Sequence, residues 1–224
     1  MIQLNDVEVG YTSNKGNISV FRHLTMAFQA GELVGLMGDN GVGKSTLLKT
    51  ITGTLKTLSG TVMLDGKNID AYSSAGLAQY LSIVVTEKIG GFNLTAWDVV
   101  ASGRTPYINV LGKLEQKDKD IIEAALQKLN ILPLKDKLMD ELSDGQKQKV
   151  MIAKSLAQQT PVIILDEPTA FLDYNSKHLL FKILKELCET EHKLIIVSSH
   201  DLDLMRPYIT RSVTMKEGNA LEIL

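Results

Sequence analysis

The sequence predicts an α/β fold: a largely parallel core sheet, an antiparallel β subdomain towards the N-terminus, and an inserted α-helical subdomain. Three observations carry this. Val162-Ile163-Ile164-Leu165 and Leu194-Ile195-Ile196-Val197 are apolar throughout, as central parallel strands covered on both faces must be. Helical segments alternate with these runs, the order of an α/β core. A further apolar run, Leu33-Val34-Gly35-Leu36-Met37, leads through Gly38-Asp39-Asn40-Gly41-Val42-Gly43-Lys44-Ser45 into a helical stretch ending at Ile51, the strand–loop–helix setting of a phosphate-binding loop.

Taken in order, Ile2-Gln3-Leu4-Asn5-Asp6-Val7 alternates as an exposed antiparallel strand, and Asn14-Lys15-Gly16-Asn17 turns the chain into a second strand over 18–28. Thr61-Val62-Met63-Leu64 with Asp65-Gly66 reads as a strand and turn, and Leu81 to Val85 as another strand. From 88 to 159 no convincing strand is found. Thr95-Ala96-Trp97-Asp98 starts a helix with its capping acid three residues on. Ile121, Ile122, Ala125, Leu126 and Leu129 share one helical face, and Gly145 to Ala157 forms a third helix. This stretch is expected to be a helical insertion, 88–159, within a single domain over 1–224 whose core comprises 1–87 and 160–224. A last stripe, Leu179, Leu180, Ile183, Leu184, Leu187 and Cys188, marks a helix in which Cys188 is a small core hydrophobe.

Composition narrows the function classes. The 224 residues are 44% apolar and 22% charged with net charge −2, ordinary for a soluble domain and without the basic surplus that nucleic-acid binding calls for. A lone cysteine excludes an internal disulfide and points to a reducing compartment. No apolar run approaches the roughly 18 residues of a membrane span, and the N-terminus lacks the layout of a signal peptide.

The chemistry lies at strand ends. Gly38 to Ser45 matches G-x-x-x-x-G-K-[ST] without departure. Glycines let backbone N–H groups turn inward on an anion; Lys44 reaches the β- and γ-phosphates and the Ser45 hydroxyl is left for Mg²⁺. Asp166-Glu167 follows an apolar strand, at the crevice where doubly wound sheets bind ligands. Asp166 is placed to hold Mg²⁺ and Glu167 to orient or deprotonate an attacking water; without the phosphate loop, two acids capping a strand end would serve as well. His200 follows the next apolar strand in Ser198-Ser199-His200-Asp201. Either its imidazole bonds the γ-phosphate or the water, or Ser199 or Asp201 caps the loop and His200 is a bystander.

Leu142-Ser143-Asp144-Gly145-Gln146 precedes Asp166. With the phosphate loop, Asp166-Glu167 and His200, it makes the chain resemble, over essentially its whole length, the ATP-binding subunit of an ABC transporter. The resemblance implies a RecA-like P-loop NTPase core that hydrolyses ATP to ADP and phosphate. It implies that Tyr11 stacks on adenine, where its own setting would equally have it anchor a turn. Gly38, Asp39, Asn40, Gly41, Val42, Gly43, Lys44, Ser45 and Thr46 would hold the phosphates, and Ser45 and Asp166 the Mg²⁺. Glu167 would polarise water and His200 brace the γ-phosphate. Ser143, Gly145 and Gln146 would contact ATP held by the other subunit, and Asp173 in Ala170-Phe171-Leu172-Asp173 would cross the dimer interface. The implied partners are a second copy in a head-to-tail ATP sandwich, two transmembrane permease subunits and, through them, a periplasmic or extracellular substrate-binding protein. The implied place is the cytoplasmic face of the membrane. Within the family, Ala101-Ser102-Gly103-Arg104-Thr105-Pro106-Tyr107 is similar to subunits energising uptake of iron-siderophore, haem and cobalamin complexes; on its residues alone, Pro106 equally stops a helix and Arg104 pairs near the C-terminus of that same helix.

Two positions depart from the pattern. Glu87 stands where the family has a glutamine that touches Mg²⁺ and senses the membrane subunit. Glutamate can ligate a hard cation, but when ionised it cannot donate a hydrogen bond, and it adds negative charge near the γ-phosphate. Asp144 stands where glycine is usual; an acid suits a helix N-terminus but not one aimed at phosphate, so its side chain is expected to point away. These departures support a second reading, an ATP-dependent regulatory module with little turnover. A non-transport ABC ATPase of DNA repair or translation is disfavoured by the single cassette and the lack of heptads. Lys88-Ile89-Gly90-Gly91-Phe92-Asn93-Leu94 reads either as a hinge bordering the permease groove or as a plain connector.

Overall fold

The computed structural model describes residues 1–14, 16–85, 93–108, 112–200, 202–216 and 220–223. Strands β1 (Ile2–Ser13) and β2 (Gly16–Phe28) form a long antiparallel pair. With β4 (Ser59–Leu64) and β5 (Lys67–Asn68) they make a sheet in the order β2-β1-β4-β5. The inner face of β1 buries Ile2, Leu4, Val7 and Val9, so only its other face is exposed. The strand runs on past Val7 because register shifts between Leu4 and Gly10 break the sequence alternation while the ladder continues. Asp65 and Gly66, with φ of 53° and 77°, turn β4 into β5, as a two-residue hairpin loop requires.

The core sheet comprises β3 (Leu33–Met37), β6 (Leu81–Val84), β7 (Val162–Asp166), β8 (Leu194–Ser198), β9 (Arg211–Lys216) and β10 (Ala220–Ile223) in the order β10-β9-β3-β8-β7-β6. All neighbours are parallel except β9 and β10. Its central strands are buried on both faces, and period-2 alternation divides them between two cores. Val34, Leu36, Ile164 and Ile196 pack with α1 (Lys44–Ile51) and the antiparallel sheet. Leu33, Ile163, Leu165, Ile195 and Val197 pack on the other side with α6 (Tyr174–Glu191), whose stripe includes buried Cys188.

Helix α2 (Ser74–Tyr80) precedes β6. Helices α3 (Ala96–Ala101), α4 (Gln116–Lys128) and α5 (Asp144–Ala157) follow, sharing a core of Val99, Val100, Ile122, Leu126, Val150 and Ala153. Among the described residues from 93 to 159 the only β pairing is the bridge Thr95–Leu138. Thr95 caps α3 in the reciprocal box its spacing predicts, with Asp98. Helix α7 (Leu202–Met205) leads to β9. No helix among the described residues is long and apolar enough to cross a membrane.

The Gly-Arg-x-Pro-aromatic stretch forms a 3₁₀ turn at Ser102–Tyr107 and acts as a joint. Gly103 passes so close to α5 that a Cβ would lie 2.4 Å from the Lys154 carbonyl oxygen. Arg104 is buried; its Nε donates to Asp118 Oδ1 at 3.0 Å and its Nη1 to the Ala157 carbonyl at 2.8 Å and Gln159 Oε1 at 3.1 Å. The Tyr107 ring covers the guanidinium at 4.3 Å. Gln79 of α2 donates to the Pro106 carbonyl. Arg104 therefore pairs not at the C-terminus of the helix before it but with Asp118 of α4 and at the C-terminus of α5, remote in sequence.

Candidate functional site

Residues 38–43 must turn the chain from the end of β3 into α1, and the backbone there needs glycine. Gly38 has φ of 144°, and a Cβ on it would lie 2.6 Å from the Met215 carbonyl oxygen; Gly43 has φ of 110°, and its Cβ would meet Val20 Cγ1 at 2.4 Å. Gly43 caps α1 with no side-chain acceptor, and the first turn carries no acid. The helix N-terminus thus keeps its N–H groups and partial positive charge for an anion. Lys44 is buried at the throat of the loop, donating from Nζ to the carbonyls of Gly38 (2.7 Å) and Asp39 (3.2 Å). The hydroxyls of Tyr11 and Thr46 lie 2.9 Å apart, which holds the 44%-exposed Tyr11 ring beside the first turn of α1.

The catalytic-type groups meet because β7 and β8 are neighbours in register, Asp166 opposite Ser198. Ser198 Oγ donates to Asp166 Oδ1 at 2.6 Å and accepts the Glu167 N–H at 2.8 Å. His200 Nδ1 lies 2.8 Å from Glu167 Oε2. An ionised carboxylate only accepts, so that ring nitrogen carries the hydrogen. Lys44 Nζ stands 3.7 Å from Glu167 Oε1, which is buried with no hydrogen-bond partner. A buried acceptor in that state is a place for a donor such as water. The donor set also suits a hard cation: Asp166 and Ser45 offer oxygen ligands. Among the described residues no cluster of three or more His, Cys, Asp or Glu could hold a metal alone, so phosphate and water would have to complete the shell. A cavity of about 760 Å³ borders the loop, lined by Asn40, His200, Arg206 and Lys216 among others.

Ser143, Gly145 and Gln146 lie elsewhere. Ser143 Oγ accepts the Gln146 N–H and Gln146 Oε1 the Ser143 N–H, a capping box at the start of α5. A Cβ on Gly145 would lie 2.7 Å from the Phe171 carbonyl oxygen. Asp144 is exposed in the first turn. Asp173 caps α6; the Ser176 backbone N–H and then its hydroxyl hold that carboxyl below the usual carboxylate range. Among the described residues no hydrogen bond or ion pair joins Ser143, Gln146 or Asp173 to residues 38–46. Glu87 lies outside the described residues, as do Gly90, Gly91 and Asp201.

Sequence reasoning missed Ser198, which links the two acids, and Gln148, which is buried and donates to the Pro168 carbonyl at 3.3 Å. Ser198 carries a faint signal as the first hydroxyl after an apolar run; Gln148 sits in a polar string and carries none. A groove of about 390 Å³, lined by Thr52, Thr54, Leu77, Ser82, Lys154 and Gln158 among others, opens between α2, β6 and the end of α5.

Residues 21–170 match the ABC transporter family. The chain is 41% identical, over 91% of its length and 69% of that protein, to an uncharacterised ABC transporter ATP-binding protein of Methanocaldococcus jannaschii. It is 35% identical, over 98% of its length and 80% of that protein, to the achromobactin transport ATP-binding protein of Dickeya dadantii. A solved ATP-binding cassette dimer in a post-hydrolysis state, bound to ADP and phosphate, superposes with a TM-score of 0.87 at 26% identity, covering 100% of this chain and 99% of that one.

Proposed function

This chain belongs to the ABC transporter family, and on that premise we propose that it is the ATP-hydrolysing subunit of an importer for an iron-siderophore, haem or cobalamin complex. The observation that carries the enzymatic part is the convergence of Lys44 and His200 on the two carboxylate oxygens of Glu167, beside an uncapped helix N-terminus. ATP is the substrate. The amides of residues 38–46 and Lys44 stabilise charge on the β- and γ-phosphates, and Tyr11 carries the base. Glu167 accepts a hydrogen bond from the attacking water and draws off its proton as the water oxygen bonds in line to the γ-phosphorus, the bond to the β,γ-bridging oxygen breaks and ADP leaves. His200 holds Glu167 Oε2, leaving Oε1 for that water. Ser45 and Asp166, with Glu87, would hold Mg²⁺, which when bound neutralises phosphate charge.

The organisation we infer is one ABC ATPase domain over 1–224 with a helical subdomain at 88–159. Ser143, Gly145 and Gln146 complete the site of a second copy, since an N-terminus of α5 turned to a γ-phosphate supplies the same positive end as α1. Two copies then clasp two ATPs, Asp173 crossing between them, and hydrolysis removes the contacts that hold them shut. In each copy the groove beside Gln158 receives a short helix of one of the two permease subunits at the cytoplasmic face, and a substrate-binding protein delivers cargo from outside. The achromobactin relative and the resemblance of residues 101–107 support the iron-chelate class.

Phosphate release by the purified chain, alone and with its permease, tests this. Glu167→Gln is expected to lower kcat by about 10²-fold or more and, with ATP, to double the mass seen by light scattering. Turnover in the wild type no higher than in Glu167→Gln would instead favour the regulatory module. Uptake of labelled ferric siderophore, haem and cobalamin by cells lacking the chain identifies the cargo class.

A further inference from the structure

The first turns of α5 are pinned to the loop that follows Glu167 in the same chain. Buried Gln148 donates from Nε2 to the Pro168 carbonyl, 3.3 Å away, and Gly145 abuts the Phe171 carbonyl at a distance no Cβ would allow. Pro168 directly follows Glu167, whose φ of 47° places it in the left-handed region. A non-glycine residue stays there only when its surroundings over-determine it. The Glu167 N–H is fixed by Ser198 Oγ and its carbonyl accepts from the Ala170 N–H. The Gln148 amide fixes the next peptide carbonyl along.

We propose that Gln148 is a positioning residue for Glu167 of its own chain, so that α5 serves two ATPs at once. The inference rests on the functional reading above, in which Ser143, Gly145 and Gln146 face ATP held by the other copy. On that reading the tip of α5 acts across the dimer, while Gln148, further along the same helix, acts within the chain. A shift of α5 driven by one γ-phosphate moves the Pro168 carbonyl and re-aims the carboxylate at the other site. Each site thereby responds to whether its twin is filled.

Mixed dimers separate the two directions. Gln148→Met keeps the length of the side chain and removes the donor; Glu167→Gln silences one site. With both substitutions on one chain, the only working carboxylate sits beside an intact Gln148, and turnover is expected to equal that of a dimer carrying Glu167→Gln alone on one chain. With the substitutions on opposite chains, the only working carboxylate lies in the chain that has lost the Gln148 amide, and kcat is expected to fall about tenfold. The reverse pattern would mean that Gln148 acts through the helix tip on the other copy's ATP, and overturns the proposal. Equal slowing in both arrangements, the mark of general loosening, overturns it as well, as does no slowing in either. Should Gln148→Met fail to assemble, Gln148→Asn, which keeps the amide but is one methylene short, repeats the comparison. An unaltered dimer that releases no phosphate overturns the functional reading and this proposal with it.

Discussion

Replacing Arg104 by methionine should unlock the joint between α3, α4 and α5. The substitution keeps an apolar stem of similar reach but removes three donated hydrogen bonds, to Asp118 Oδ1, the Ala157 carbonyl and Gln159 Oε1. Both members of the ion pair are about 5% exposed or less. Breaking a buried pair by removing one partner costs about 3–5 kcal/mol, and a carbonyl stripped of its donor about 1–3 kcal/mol; the two overlap, so a loss of about 4 kcal/mol is expected. In Arg104→Met/Asp118→Asn both charges go, while the asparagine oxygen still accepts the Glu115 N–H that Asp118 accepts now. The double variant should therefore be more stable than Arg104→Met alone by about 2 kcal/mol. Urea unfolding with an unchanged slope reads both values.

The pH dependence gives a second check. Burial pushes the Asp118 carboxyl up, but the Glu115 N–H and the Arg104 guanidinium together outweigh it and hold the group below its ordinary range. A depressed folded-state value stabilises the protein above the unfolded value and is lost as pH falls through the folded one. Without Arg104 two of the influences that lower the group are gone, so its folded value moves up and that stabilisation shrinks. The gap between wild type and Arg104→Met should accordingly narrow as pH falls below about 4. A single variant within about 1 kcal/mol of wild type at pH 7, or a double variant less stable than the single, would refute the joint.

Other expectations are simpler. Tyr11→Ala should weaken binding of a fluorescent ATP analogue about tenfold, because base–aromatic stacking contributes about 1–3 kcal/mol, whereas Tyr11→Phe, losing only the bond to Thr46, should bind nearly as wild type; equal affinity in Tyr11→Ala removes the ring from the site. Cys188 is 1% exposed, and burial pushes its thiol up to about 12. A disulfide reagent at pH 8 should modify it only in step with unfolding in urea, and prompt labelling of the folded chain would contradict its place in the core.

What the sequence revealed was what is local. The phosphate loop shows because its glycines, Lys44 and Ser45 are consecutive, and the central strands because being covered on both faces demands apolar residues at every position. The capping box at Thr95 shows for the same reason. What stayed hidden depends on which strands become neighbours. Ser198 matters only because β8 lies beside β7, with Asp166 opposite it. Arg104 finds Asp118 and the end of α5 only once three helices pack, so its neighbourhood in sequence suggested nothing about its charge partner. Strand β9 mixes polar and apolar residues and the edge strand β10 is only four residues long, so both give a weak pattern. The extension of β1 to Ser13 is masked by its register shifts.

The order of the core sheet explains why these groups converge. The chain leaves β3 for β6 at one edge, returns through β7 and β8, and crosses to β9 on the other side of β3. Connections diverging from β3 in this way open a crevice at its carboxyl end. The phosphate loop leaves β3 there, with His200 after β8 and Asp166 and Glu167 at the end of β7 along the same rim. Every group so gathered lies on one side of the phosphate it would hold. The second positive helix end, at α5, is tied instead to the loop after Glu167 through Gly145 and Gln148. On the proposed reading, a γ-phosphate enclosed on both sides needs a second chain. On the proposal made above, the pinning of α5 to the loop after Glu167 makes closure of one site load the geometry of the other.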